Sequence, residues 1–155
     1  MEPLRSKNKE LSVIDLKTLI IKSPVSEYTP NDQSGIECIS IDENYTRIDF
    51  IYISPKKYPN GGWVKMDRNA YIQISGSNKK YYLLKAINIP LDPDKYYFKK
   101  TGQVLQFTLL FPAIPKTTTS IDIIERLEPG NYFNFFRVAL TSGQAILINI
   151  NENLN

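Results

Sequence analysis

The sequence predicts an all-β fold, an antiparallel β-sandwich of about seven to nine strands. Three observations carry that prediction. Short segments alternate apolar and polar residues with the two-residue period of half-buried strands. Ten prolines and seven glycines punctuate the chain, and they fall between those segments about every ten residues, as turns do in a sandwich or barrel. No long segment carries a clean helical period.

In chain order, residues 1–35 form an N-terminal segment, extended or supplying a first strand, and residues 36–155 form the sandwich, one domain in total. Val13–Lys22 fits either a strand or a short helix by its apolar spacing, and the strand is favoured. Ile36–Ile41 holds the single cysteine, Cys38, read as a small buried hydrophobe because free thiols are usually core. Tyr45–Ser54 places Ile48, Phe50 and Tyr52 on one inward face. Tyr71–Ile74 and Lys80–Ile89 read as the arms of a hairpin, since Gly76 and Asn78 between them tolerate positive φ. Val104–Phe111 repeats the strand pattern, with Leu105, Phe107, Leu109 and Phe111 inward. Ser120–Glu125, Phe133–Leu140 and Ala145–Ile150 complete the set. Pro55, Pro59, Pro90, Pro93, Pro112, Pro115 and Pro129 fall between these runs, where a missing N–H breaks no ladder.

Composition removes several classes of chemistry. At 155 residues the chain suits one domain, burying roughly 68–70% of its unfolded surface. No apolar run approaches the ~20 residues of a membrane helix, so no membrane insertion is expected. Leu11–Ile21 is broken by Ser12, Asp15 and Lys17, which is not a secretory leader. The expectation is a cytoplasmic protein, or a periplasmic or envelope one if a leader has been removed. With no histidine and one cysteine, Ser-His-Asp and Cys-His nucleophiles, His-containing zinc sites and an internal disulfide are all ruled out. No cofactor, metal or catalytic residue is expected.

Several runs share the character of one family. They are Trp63-Val64-Lys65-Met66, Lys79-Lys80-Tyr81-Tyr82-Leu83-Leu84, Ile89-Pro90-Leu91, Phe107–Lys116 and Ser120–Glu125. They lie within a matching stretch from about Tyr45 to Val138, roughly three-fifths of the chain. The most specific is the F-x-L-x-F-P-x-[IL]-P-K run followed by S-I-D-[IL]-I-E. This stretch resembles small β-sandwich domains of unknown function from Bacteroidetes-type bacteria, found in envelope proteins and as accessory modules. The resemblance implies immunoglobulin-like topology and assigns no catalytic residues.

Charge is the most informative feature for function. Residues 54–100 hold ten basic side chains against Asp67, Asp92 and Asp94, a net +7, while the rest of the chain is −4. The same segment holds Tyr58, Trp63, Tyr71, Tyr81, Tyr82, Tyr96, Tyr97 and Phe98. Cations interleaved with rings suit a nucleic-acid groove or a Tyr- and Trp-rich protein interface; equally, the lysines can be solvated and the rings core. Trp63 is read as core packing. Asp92-Pro93-Asp94 reads as a turn, and Asp122, Glu125 and Glu128 as turn and surface carboxylates. Gly61-Gly62 reads as a tight turn before Trp63, and Asn44-Tyr45-Thr46 as a chance sequon. In Tyr132–Phe136, alternation sends Phe133 and Phe135 inward and leaves Tyr132 and Phe136 for a partner or for cover by Leu11–Ile21.

Two functions survive. The first is a non-catalytic structural or adaptor module that contacts another protein, or copies of itself, within a larger bacterial assembly. Its candidate interface is Tyr132, Phe136, Arg137, Lys56, Lys57, Tyr58, Lys79, Lys80, Lys99 and Lys100. The alternative is a ligand-binding sandwich that recognises nucleic acid or glycan through residues 54–100.

Overall fold

The computed structural model describes residues 18–140 and, as backbone only, 145–148. The first strands are β1 (Thr18–Lys22), β2 (Ser26–Tyr28), β3 (Ser34–Ile41), β4 (Tyr45–Ile53), β5 (Trp63–Val64), β6 (Tyr71–Ile74) and β7 (Lys80–Tyr82). They continue as β8 (Lys85–Ile87), β9 (Tyr96–Tyr97), β10 (Val104–Pro112), β11 (Ser120–Ile124), β12 (Phe135–Ala139) and β13 (Ala145–Ile148). One sheet runs β13-β1-β3-β4-β10-β8, the other β2-β12-β11-β6-β7, and β5 with β9 makes a separate ribbon. Every pairing between these strands is antiparallel, and one isolated parallel bridge joins Met66 to Leu91. The fold is the expected all-β sandwich.

Its core follows from the alternation. In β4, Ile48, Phe50 and Tyr52 are buried, and in β10 so are Leu105, Phe107, Leu109 and Phe111. The register sets Phe50 opposite Phe107 and Ile48 opposite Leu109, and the two rings stack at 5.0 Å. The second sheet answers with Ile72, Ile121, Ile123, Phe135 and Val138. Phe50 meets Phe135 at 5.7 Å across the layers. Among the described residues no helix is long and apolar enough to cross a membrane.

Four expectations are corrected. Two sheets of eleven strands and a ribbon replace seven to nine strands, because β2, β5, β7, β8 and β9 are too short to display a period. Lys80–Ile89 is not one hairpin arm: β7 pairs with β6, whereas β8 pairs with β10 in the opposite sheet. The chain crosses at Leu83 and Leu84, whose N–H groups donate to Ala70 and Leu110, each at 2.8 Å. Pro112 is the last residue of β10, not a loop residue. Cys38 is only half-buried, because Ile39 and Ile41 take the inward positions of β3 and alternation turns Cys38 outward.

The division expected at residue 36 falls inside β3. β1 and β2, both before it, join opposite sheets. Of the Val13–Lys22 segment, β1 is a strand, and residues 13–17 lie outside the described residues.

Candidate functional site

Several connections gather at the end of the sandwich where β4 and β11 finish. Ser54 Oγ donates to the Lys100 carbonyl at 3.0 Å, and the Phe98 N–H donates to Gly62 at 2.9 Å. Those bonds tie the loop after β4 to the loop after β9. Tyr52 packs edge-on against Phe133 at 5.5 Å, which brings the β11–β12 loop to the same place. Gly61 is required here. Its φ is 89°, and a Cβ would sit 2.7 Å from Ser54 Oγ and 2.8 Å from the Lys100 oxygen. The tight turn expected at Gly61-Gly62 is present as a 3₁₀ turn, Pro59–Gly61.

The β5–β9 ribbon pairs Trp63 with Tyr97 and Val64 with Tyr96. Val64 is buried, so alternation turns Trp63 and Tyr97 to solvent, 47% and 64% exposed. Trp63 is therefore not core. Two cations approach its ring, Lys95 Nζ at 4.4 Å and Lys65 Nζ at 5.4 Å from the centroid. Both lie two residues from the paired rings, as the period requires. Lys65 also forms an ion pair with Asp92, and this contact is the chief cause holding the Asp92 carboxyl below its ordinary range. Asp92 does sit in a turn, with the Asp94 N–H donating to Leu91 at 2.9 Å.

Behind the ribbon lies Glu125, only 7% exposed. Its two carboxyl oxygens accept the N–H groups of Phe133 and Asp67, each at 2.9 Å. Asn134, also buried, accepts from the N–H groups of Glu125 and Arg126 and donates to the Arg126 carbonyl. These bonds close the β11–β12 loop on itself and onto the residues after β5. Burial drives the Glu125 carboxyl up to about 7, because desolvation disfavours the charged form. The two N–H donors offset part of that rise, the Asp67 charge adds to it and Lys65 opposes it. Glu125 is thus a buried clasp, not the surface carboxylate its position at a strand end implied.

Together these elements wall a cleft of about 440 Å³, lined by Tyr58, Trp63, Lys65, Glu125, Arg126 and Tyr132 among others. Arg126 lies 2.9 Å from Glu128 and 3.4 Å from Asp67. Its guanidinium carbon stands 5.9 Å from the Tyr132 ring centre, and the Tyr132 hydroxyl donates to Glu128 at 3.2 Å. The cleft thus combines ring surface with carboxylates and cations already matched to one another. Among the described residues no group of three or more carboxylate or cysteine side chains is placed to hold a metal ion.

The expected interface residues separate into three places. Lys56, Lys57, Tyr58, Lys99 and Lys100 share the loop end, all exposed, and Tyr132 belongs to the cleft wall. Lys79 and Lys80 stand where the β6–β7 turn enters β7, toward the other end of the second sheet. Phe136 and Arg137 lie on the outer side of β12. There Phe136 stacks on Tyr28 of β2 at 6.0 Å, and Arg137 pairs with Glu27. Of the cover expected from Leu11–Ile21, the described part belongs to β1 in the opposite sheet, and residues 11–17 lie outside the described residues. Phe133 and Phe135 are buried and Phe136 is outside, as alternation assigned, and a bulge follows Phe135. Ile121 pairs with Val138 but Ile123 with Phe135, so Phe136 and Arg137 together oppose Asp122. Arg137 takes φ 48°, and its N–H donates to Asp122 at 2.7 Å.

Sequence reasoning missed the cleft residues Glu125, Arg126 and Asp67 and the supporting Asn134. Their roles depend on partners as far as 59 positions away, and no local pattern announces that. No protein-family model, curated protein or solved structure matches the chain.

Proposed function

We propose that this protein is a non-catalytic binding module whose loop-end cleft takes a glycan, the second of the two functions read from the sequence. The observation that carries the proposal is the exposed Trp63, set beside a cleft whose polar groups are already charge-matched. A sugar offers an apolar C–H face to a ring and hydroxyls that both donate and accept. The carboxylates of Asp67 and Asp92 and the donors of Arg126 and Lys65 suit such hydroxyls, while Trp63, Tyr58 and Tyr132 supply ring surface. A non-catalytic role is supported by the commitment of the carboxyl groups. Glu125 accepts two backbone N–H groups, Asp92 is tied to Lys65, and Asp67 faces Arg126. A phosphodiester inside the cleft would meet all three carboxyl groups, which weighs against nucleic acid there.

Trp63→Ala is expected to weaken oligosaccharide binding by about thirtyfold, the loss of roughly 2 kcal/mol typical of a central aromatic contact. The far-ultraviolet circular dichroism spectrum should be unchanged, since the ring lies outside the core. Calorimetric titration checks both points, and binding that survives the substitution contradicts the assignment.

The adaptor reading draws on a different surface. Tyr82, Leu84 and Ile87 are all exposed on the stretch that crosses between the sheets, and apolar groups on an exposed edge favour a protein contact.

A further inference from the structure

Five lysines stand around the ribbon and cleft without a carboxylate of their own. Lys56, Lys57, Lys95, Lys99 and Lys100 are exposed, and among the described residues none of them forms an ion pair. The exposed acids of the same loops that also lack a cation are Asp32 and Asp94, so the rim keeps an excess of positive charge. Inside the cleft the opposite holds, because Lys65 and Arg126 are matched by Asp92, Asp67 and Glu128.

The unmatched cations follow a path. Lys95 lies over Trp63, and Tyr97 stands directly across the ribbon from Trp63. Phe98 is bonded to Gly62 and Lys100 to Ser54, which sets Lys99 and Lys100 beside the loop bearing Lys56 and Lys57. Lys57 Nζ is 5.1 Å from the Tyr58 ring centre, and Tyr58 returns to the cleft wall. Rings and free cations therefore alternate outward from a cleft whose own cations are paired.

From this arrangement we infer that the ligand is an anionic, carboxylate-bearing glycan, one sugar held in the cleft by its ring face and hydroxyls with its pendant carboxylate turned out to the rim, and the chain continuing over Trp63 and Tyr97. Its ring faces meet the aromatic side chains, and its carboxylates meet the rim lysines. The inference rests on the glycan reading of the cleft and adds the charge and length of the ligand.

The test uses the full chain with oligomers of galacturonate, mannuronate and guluronate, each beside its carboxyl-reduced neutral counterpart, and with single-stranded oligothymidylate. At least one uronate oligomer is expected to bind about tenfold or more tighter than its neutral counterpart at low salt. Raising salt from about 50 mM to about 1 M should erase most of that advantage, since exposed charges are then screened. The double variant Lys99→Gln/Lys100→Gln should lose the advantage while leaving affinity for the neutral oligomer unchanged. Equal binding of charged and neutral forms overturns the inference and leaves the glycan cleft standing. Absence of binding to every sugar overturns both. Tighter binding of oligothymidylate than of any uronate assigns the rim to a phosphate chain and overturns the inference.

Discussion

Replacing Phe107 by alanine is expected to lower the unfolding free energy by about 3–5 kcal/mol, the range for truncating a buried ring. Phe107 is 2% exposed and lies between Phe50 at 5.0 Å and Phe133 at 5.2 Å. Its removal withdraws one ring from a stack that joins both sheets, and close-packed neighbours cannot collapse fully into the space. Because Phe133 also packs on Tyr52, which lines the cleft, the variant should in addition loosen the loop end. Urea unfolding measures the effect. A loss below about 1 kcal/mol would mean the ring does not fill the core, and the register of β10 would be wrong by one residue.

Glu125 is expected to make the fold more stable in mild acid than at neutral pH. Its carboxyl is raised in the folded state from 4.5 to about 7, so the folded chain binds the proton more tightly than the unfolded one. The resulting stabilisation is complete below the unfolded value near 4.5 and is lost as pH rises through about 7. The raise corresponds to about 3 kcal/mol across that window. Glu125→Gln removes the titration, and the amide nitrogen then faces a backbone N–H that the carboxyl oxygen accepted. The variant should be less stable in acid by about 1–3 kcal/mol and show a much flatter dependence between about pH 4.5 and 7. Urea melts at several pH values decide it, and an unchanged slope in the variant would place the titrating group elsewhere.

The long strands were legible because they carry enough residues for a period to show. β4 and β10 each run nine residues, and their inward faces are the ones alternation assigned. Where a single irregularity intervenes, alternation does not announce it. The bulge at Phe136 and Arg137 lets both Phe135 and Val138 reach the core three positions apart, which strict alternation forbids. Trp63 was misplaced for a related reason: in a two-residue strand, nothing local says which residue faces inward, and Val64 takes that place. The charge segregation of residues 54–100 was visible, but its meaning depends on which loops meet. Lys56, Lys57, Lys95, Lys99 and Lys100 converge on one end, while Lys79 and Lys80 sit on a hairpin toward the other. Glu125 was the least legible, since one of its N–H donors, Asp67, comes from another loop 58 positions away and the other, Phe133, from the far end of its own loop.

The central claim is that the loop end holds the ligand. The most direct measurement is a nuclear magnetic resonance titration of the isotope-labelled chain with a galacturonate oligomer and with its carboxyl-reduced counterpart. The predicted result is a set of shift changes on the Trp63 indole and on backbone amides of residues 58–66, 92–100 and 125–132, with residues 82–87 and the Tyr28–Phe136 edge silent. Changes centred on residues 82–87 or on that edge, or none at the loop end with either sugar, would contradict it.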